Sequence, residues 1–315
     1  MRTLHAFVRS ESGQAMVFVA IGLTALVAMA ALVIDAGSWY HANRQLQTAA
    51  DAGALAGAQH LPTDQGTATT VAQDYAQRNY AGIPTPDVTF PSAGEIDVSA
   101  TASTPGFFAP LISSVFSSVQ VKAHARAAVS VPLLMQNVAP IAVKNTAACI
   151  VSDPTCYGQT KILNFDESQL TSSTIGLIDL RCQSSTSAFN CGGGPGGSVL
   201  GGWIDNGYPS PLPANKWYDV KTGVTVGPID HSLNEAADAG RTLFFPVFDQ
   251  ADATNTSFHV IGWAAFVIDP GGVVWGPQTK ELTGHFVTFI ATDLASGGPI
   301  DDAPDFGVHT ITLTQ

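Results

Sequence analysis

From Ala15 to Ile34 the chain reads AMVFVAIGLTALVAMAALVI, 20 residues with no charge and one clearly polar side chain, Thr24. A helix rises about 1.5 Å per residue, so this run reaches across the roughly 30 Å hydrocarbon layer of a bilayer. The pattern predicts a transmembrane helix over 15–34. Arg2 and Arg9 precede it, Asp35 follows it, and Trp39 and Tyr40 fall where aromatic rings favour the membrane interface. Basic flanks stay on the cytoplasmic side, which predicts a cytoplasmic N-terminus over 1–14 and an extracytoplasmic bulk. Two other readings compete: a core helix of a soluble domain, and a cleaved signal peptide. Ala28-Met29-Ala30 fits a signal-peptidase site, with Arg2 and Arg9 as the basic leader. The apolar run continues past that site through Leu32, Val33 and Ile34, which favours a retained anchor.

Beyond Asp35 the helical pattern goes on. Residues 36–60, AGSWYHANRQLQTAADAGALAGAQH, contain no proline and no wide leucine stripe. Small residues dominate instead: Ala49, Ala50, Ala52, Gly53, Ala54, Ala56, Gly57 and Ala58. Alanine alone favours helix, but Gly53 and Gly57 weaken it and need another reason, such as close approach of a second helix. Leu61-Pro62 ends the segment. Residues 67–80 read as a second short helix, 86–90 and 95–102 as strands, and 107–116 as a short helix. Val119, Val121, Ala123, Ala125, Ala127, Val129 and Val131 then alternate with Gln120, Lys122, His124, Arg126, Ala128 and Ser130. That period of two predicts a long half-buried strand.

Pro132 opens a second part, rich in glycine and proline between short apolar runs. Strands are expected at 138–143, 160–165, 241–248, 257–268, 273–275, 284–292 and 308–314. A Gly- and Ser-rich loop over 183–198 and an acidic loop over 293–305 lie between them. The class is α+β. A transmembrane helix extends into a long helix, a small helix-and-strand module completes 35–131, and 132–315 forms a mostly β extracytoplasmic domain.

Composition supports that placement. Charged residues make up 12%, about half of the roughly 25% usual in soluble domains. The formal net charge is -12, and residues after 131 carry 7 Lys and Arg against 17 Asp and Glu. Such an acidic chain lacks the basic surface that phosphate contacts need, which argues against nucleic acid as a partner. The four cysteines, Cys149, Cys156, Cys182 and Cys191, form no C-x-x-C pair. Outside the cytoplasm they allow three disulfide connectivities. Short loops close most easily, which favours Cys149–Cys156 and Cys182–Cys191.

Residues 11–60 carry an Asp-x-Gly at Asp35 and Gly37 directly after the apolar helix. An aromatic, Tyr40, and a basic residue, Arg44, come next. Leu46-Gln47, Ala49-Ala50-Asp51-Ala52, Ala54-Leu55-Ala56 and Ala58 complete the pattern LQ-x-A-A-D-A-x-A-L-A-x-A. This stretch resembles the Tad domain of TadE/TadG-like Flp pilus-assembly proteins. PIAV at 140–143, RTLFFPVFDQ at 241–250 and HVIGWAAFVID at 259–269 are more loosely similar to the extracytoplasmic parts of such proteins. The resemblance implies a bitopic, non-enzymatic component of a tight-adherence or Flp-type pilus assembly or secretion system, in a bacterium or archaeon. Its partners would be membrane lipid and other pilus-assembly or pseudopilin-like membrane proteins, with self-association through the N-terminal helix. Type IV pilin-like substrates are cut after a glycine with glutamate five residues on. Here Gly13 is followed by Gln14 and then Phe18 at the fifth position, so the helix is expected to stay uncut.

Asp35, Gly37, Tyr40, Arg44, Leu46, Gln47, Ala50, Asp51 and Leu55 are therefore the candidate motif and packing residues. Asp35 at the interface is expected to be solvated, to limit translocation depth, or to meet a partner's Lys or Arg. Arg44 and Asp51 are candidates for contacts between neighbouring chains. Some TadG-like proteins carry a von Willebrand A domain with a D-x-S-x-S metal site. Asp97-Val98-Ser99-Ala100-Thr101 is a near match, but it lies in an alternating strand pattern. The histidines show no ligand spacing, no G-x-S-x-G occurs, and Gly192 to Gly197 lacks G-K-[ST] and a following helix. Lys122, His124 and Arg126 read as one solvated strand face. No cofactor is expected. An alternative is a tethered adhesin or carbohydrate-binding module, with Trp203, Trp217, Trp263 and Trp275 as an aromatic platform.

Overall fold

A computed structural model describes residues 12–111, 117–167, 173–187, 189, 191–277, 279–291, 296–299 and 304–314. The expected cytoplasmic segment up to residue 11, the second half of the expected helix at 107–116 and most of the acidic loop at 293–305 lie outside the described residues.

One unbroken helix, α1, runs Ser12–Ala58, and α2 follows over Gln65–Asn79. Asp64 caps α2 by accepting from the Thr67 backbone N–H at 2.8 Å and from its hydroxyl at 2.6 Å. Ala68, Ala72 and Ala76 line the buried face of α2. They meet the small-residue half of α1, and this contact explains its glycines. A Cβ on Gly53 would lie 2.7 Å from the Ala72 carbonyl oxygen; one on Gly57 would lie 2.6 Å from Ile96 Cδ1 and 2.9 Å from the Ala68 carbonyl oxygen. Only glycine permits that approach.

The helix pair lies on a sheet built from β1 (Asp87–Thr89), β2 (Glu95–Pro105) and β3 (Ser118–Pro132). β2 and β3 form an antiparallel hairpin in continuous register from Glu95↔Ala128 to Pro105↔Ser118. The expected alternation holds: Ala123, Ala125, Ala127, Val129 and Val131 are buried. With Ile96, Val98 and Ala100 they form one core against Leu46, Ala50 and Ala54 of α1.

The second part contains β4 (Leu134–Met135), β5 (Ile141–Lys144), β6 (Thr160–Asn164), β7 (Ile175–Ser184), α3 (Gly197–Asn206), β8 (Leu212–Pro213), β9 (Lys216–Lys221) and α4 (Val226–Asp238). It continues with β10 (Thr242–Ala251), β11 (Ser257–Trp275), β12 (Lys280–Val287), β13 (Phe289–Ile290), β14 (Ser296–Pro299) and β15 (Val308–Leu313). Strands β10, β5, β7, β9 and β11 pair in turn, and β11 pairs back onto β10, closing a ring; β12 and β6 extend it. Phe245, Phe266 and Phe286 fill the core together with Leu200 and Ile204 of α3 and Ile229 and Leu233 of α4.

Several details differ from the expectation. α3 and α4 form where no element is expected, because tertiary packing stabilises sequences that propensity alone would leave open. α3 (GSVLGGWIDN) buries Leu200 and Ile204 and crosses α4 at Gly201, where a Cβ would lie 2.9 Å from the Pro228 carbonyl oxygen. Pro228 is accommodated in the first turn of α4, where no intrahelical donor is lost. The segments 257–268 and 273–275 are one strand, bent at a register shift after Ile268 with Gly271 at φ +75°. β15 leaves the second part and returns to β3, pairing Thr310↔Ser130 through Leu313↔Ala127. β13 lies beside β15, and β14 pairs with the end of β3. The sheet under α1 is thus completed by the C-terminal strands, across the boundary expected at 131.

The disulfides are Cys149–Cys156 and Cys182–Cys191, with Cα separations of 5.6 and 5.9 Å. Loops this short stabilise by about 2–3 kcal/mol each in the chain-entropy description. Cys182–Cys191 ties the Gly-rich loop to the end of β7.

Candidate functional site

Helix α1 has two halves with opposite environments. From Ala15 to Ile34 it packs on almost nothing: Met16 is 75% exposed, Phe18 74% and Val33 70%. It is long and apolar enough to cross a membrane. Leaving one such side chain in water rather than apolar surroundings costs about 1.5–3 kcal/mol, so the whole row amounts to about 20 kcal/mol.

From Asp35 onward the helix has an inner and an outer face. Asp35, Ala42, Leu46, Ala49, Gly53 and Gly57 recur at helical spacing and are all buried. Leu46 and Ala50 are fully enclosed against the sheet and α2. Gly37, Tyr40 and Arg44 lie opposite, spaced three and four apart, and are exposed. A Cβ on Gly37 would meet nothing within 4 Å. Gln47, Asp51 and Leu55 are half-buried between the faces. Gln47 Nε2 donates to Asp51 Oδ1 at 2.8 Å and to the His124 carbonyl at 2.9 Å; Asn43 Nδ2 donates to the Lys122 carbonyl at 3.1 Å. Asp51 is therefore engaged within the chain, whereas Arg44 faces outward. The structure separates these two candidates for contacts with a neighbour.

Asp35 has a partner that sequence reasoning missed. It is 1% exposed. Instead of meeting solvent or another chain's base, its carboxylate accepts three successive backbone N–H groups. Phe107 donates at 2.7 Å and Phe108 at 3.0 Å, and Ala109 is the third donor. Converging backbone donors at the start of a short turn form a nest suited to a carboxylate. The connection between β2 and β3 is thereby fastened to α1, 72 residues away in sequence. No local pattern signals such a contact.

The remaining candidates separate. Asp97 projects from β2 and pairs with Arg126 Nη2 at 3.0 Å. Ser99 and Thr101 line a polar cleft of about 570 Å³ with Asn43, Gln47, Lys122 and His124. Among the described residues no group of three or more His, Cys, Asp or Glu side chains could hold a metal ion. The Gly-rich stretch does run into a helix, α3, contrary to expectation. Lys221 packs over Gly194 of that stretch and is paired with Asp219. Trp263 and Trp275 are buried in the core. Trp203 lies edge-on to Tyr208 at 5.1 Å, and Trp217 packs on His259 at 5.2 Å. The four tryptophans do not form a common platform.

No curated protein and no solved structure matches the chain. Residues 13–60, which hold the apolar half of α1 and its small-residue half, match the Tad family model, described as "Putative Flp pilus-assembly TadE/G-like".

Proposed function

We propose that this chain is a membrane-anchored, non-enzymatic component of a tight-adherence, Flp-type pilus assembly or secretion system. Residues 15–34 span the membrane, the N-terminus is cytoplasmic, and the two folded parts are extracytoplasmic. The observation that carries this reading is the coincidence of the family match over 13–60 with α1. The matched segment is one helix, unpacked and apolar below Asp35 and central to a folded module above it. Two disulfides in the second part suit an oxidising compartment.

The outer face of α1, with Gly37, Tyr40 and Arg44, is the surface offered to neighbouring membrane proteins of the machine or to a second copy. The inner face is already filled by α2 and the sheet, so association uses the outer one. In cells that assemble the pilus, Gly37→Leu and Arg44→Glu are expected to abolish surface pili or secretion while leaving the amount of the protein unchanged. Both side chains point away from the core, so the fold tolerates the changes. Normal pili and secretion in a strain lacking the whole chain would reject the reading. Loss of function in the deletion strain with full function in both variants would remove the outer face from it.

A further inference from the structure

The first half of the connection between β2 and β3, Gly106 to Leu111, has the wrong chemistry for a hairpin loop in water. Such loops use polar and turn-forming residues, whereas Gly106 to Leu111 read GFFAPL, without a charge. Phe107 is 64% exposed and Leu111 85%. The loop also lies where α1 turns apolar. Phe108, Ala109 and Leu111 face Val27, Ala28, Ala31 and Leu32 across a cleft of about 250 Å³. Those four positions precede Asp35 by eight, seven, four and three residues, so they continue its face down the apolar segment. Thr24, eleven residues before Asp35, also lines the cleft, which puts its far end about 16 Å below Asp35.

We propose that this loop is a second membrane contact, in which Phe107, Phe108 and Leu111 enter the lipid leaflet beside α1. The proposal rests on the anchoring described under Proposed function. Lipid is the occupant because the loop's apolar surface is continuous with the exposed apolar face of the span. The backbone chemistry fits as well. Irregular backbone cannot enter hydrocarbon with bare donors. Here Asp35 accepts from residues 107, 108 and 109, the Leu111 N–H donates to the Phe108 carbonyl at 2.9 Å, and the Gly106 N–H donates to the Ser117 carbonyl at 3.1 Å. The aspartate at the end of the span thus takes up the backbone donors of residues 107–109, and two contacts with the bilayer set the orientation of the folded module on it.

The test uses the full chain in phosphatidylcholine vesicles. All four native cysteines are in disulfides, so a single introduced cysteine can carry an environment-sensitive fluorophore. Leu111→Cys reports the loop, Val27→Cys the span and Ala253→Cys an exposed position in the second part; all three sites are exposed, so labelling spares the core. Lipids with nitroxides at shallow and deep positions report depth. The expected result is strong quenching at position 27, blue-shifted emission with several-fold quenching by the shallow nitroxide at position 111, and neither at position 253. Quenching at 27 with position 111 behaving like 253 would overturn the proposal and leave the anchor intact. No quenching at 27 or 111 would overturn both.

Discussion

Replacing Gly57 by leucine is expected to disrupt the module built on the second half of α1. A Cβ alone would lie 2.6 Å from Ile96 Cδ1, 2.9 Å from the Ala68 carbonyl oxygen and 3.0 Å from the Ala72 Cβ. Ile96 is a core side chain, and Ala68 belongs to the backbone of α2, so neither has room to withdraw. Three further carbons force α1 and α2 apart over the stretch where Ala54, Ala58, Ala68 and Ala72 share one core. Overpacking of this kind costs about 3 kcal/mol or more when backbone must move. Limited proteolysis of the full chain in detergent reads the effect as new cleavage between residues 59 and 105. Gly37→Leu is the matched control, because its site is open, and should leave the digest unchanged. An unaltered digest for Gly57→Leu would mean that the α1–α2 crossing is looser than described.

Asp35→Leu is expected to release the β2–β3 connection from α1. Leucine fits the apolar neighbourhood of residues 27–32 but accepts no hydrogen bond, so the N–H groups of Phe107, Phe108 and Ala109 lose their acceptor together. Buried donors left without partners are costly. Hydrogen exchange at residues 107–109 should rise to that of an open loop, while residues 96–102 in the strand stay protected. Asp35→Asn, which keeps one acceptor oxygen, should give an intermediate rate. Unchanged exchange at 107–109 in Asp35→Leu would show that Asp35 does not hold the loop.

Contacts between distant residues, such as Gly57 with Ile96 and Asp35 with Phe107, leave no local signal in the sequence. Local periodicity revealed what depends on local burial. The alternation at 119–131 is visible because β3 is buried on one face over most of its length, and the run at 15–34 because it stays exposed except where the β2–β3 connection lies beside residues 27–32. The disulfides were legible because neighbouring cysteines close short loops. β7 (IGLIDLRCQS) escaped because it is almost wholly buried along its length, which removes the alternation that marks a strand. The helices α3 and α4 escaped because glycine and proline sit in their first turns, where packing against each other stabilises them. The return of β15 to β3 depends on pairing across 180 residues, as between Ser130 and Thr310. Within α1 the motif residues look equivalent in sequence. The fold divides them: Asp35, Leu46 and Ala50 are buried in the module, whereas Gly37, Tyr40 and Arg44 are exposed on the opposite face.

If α1 remains part of the mature chain and anchors it, as proposed, intact-mass analysis of the protein recovered from alkaline-washed membranes returns a species that retains residues 15–34 and stays in the membrane pellet. A mature chain beginning at Ala31 and released into the wash would contradict it.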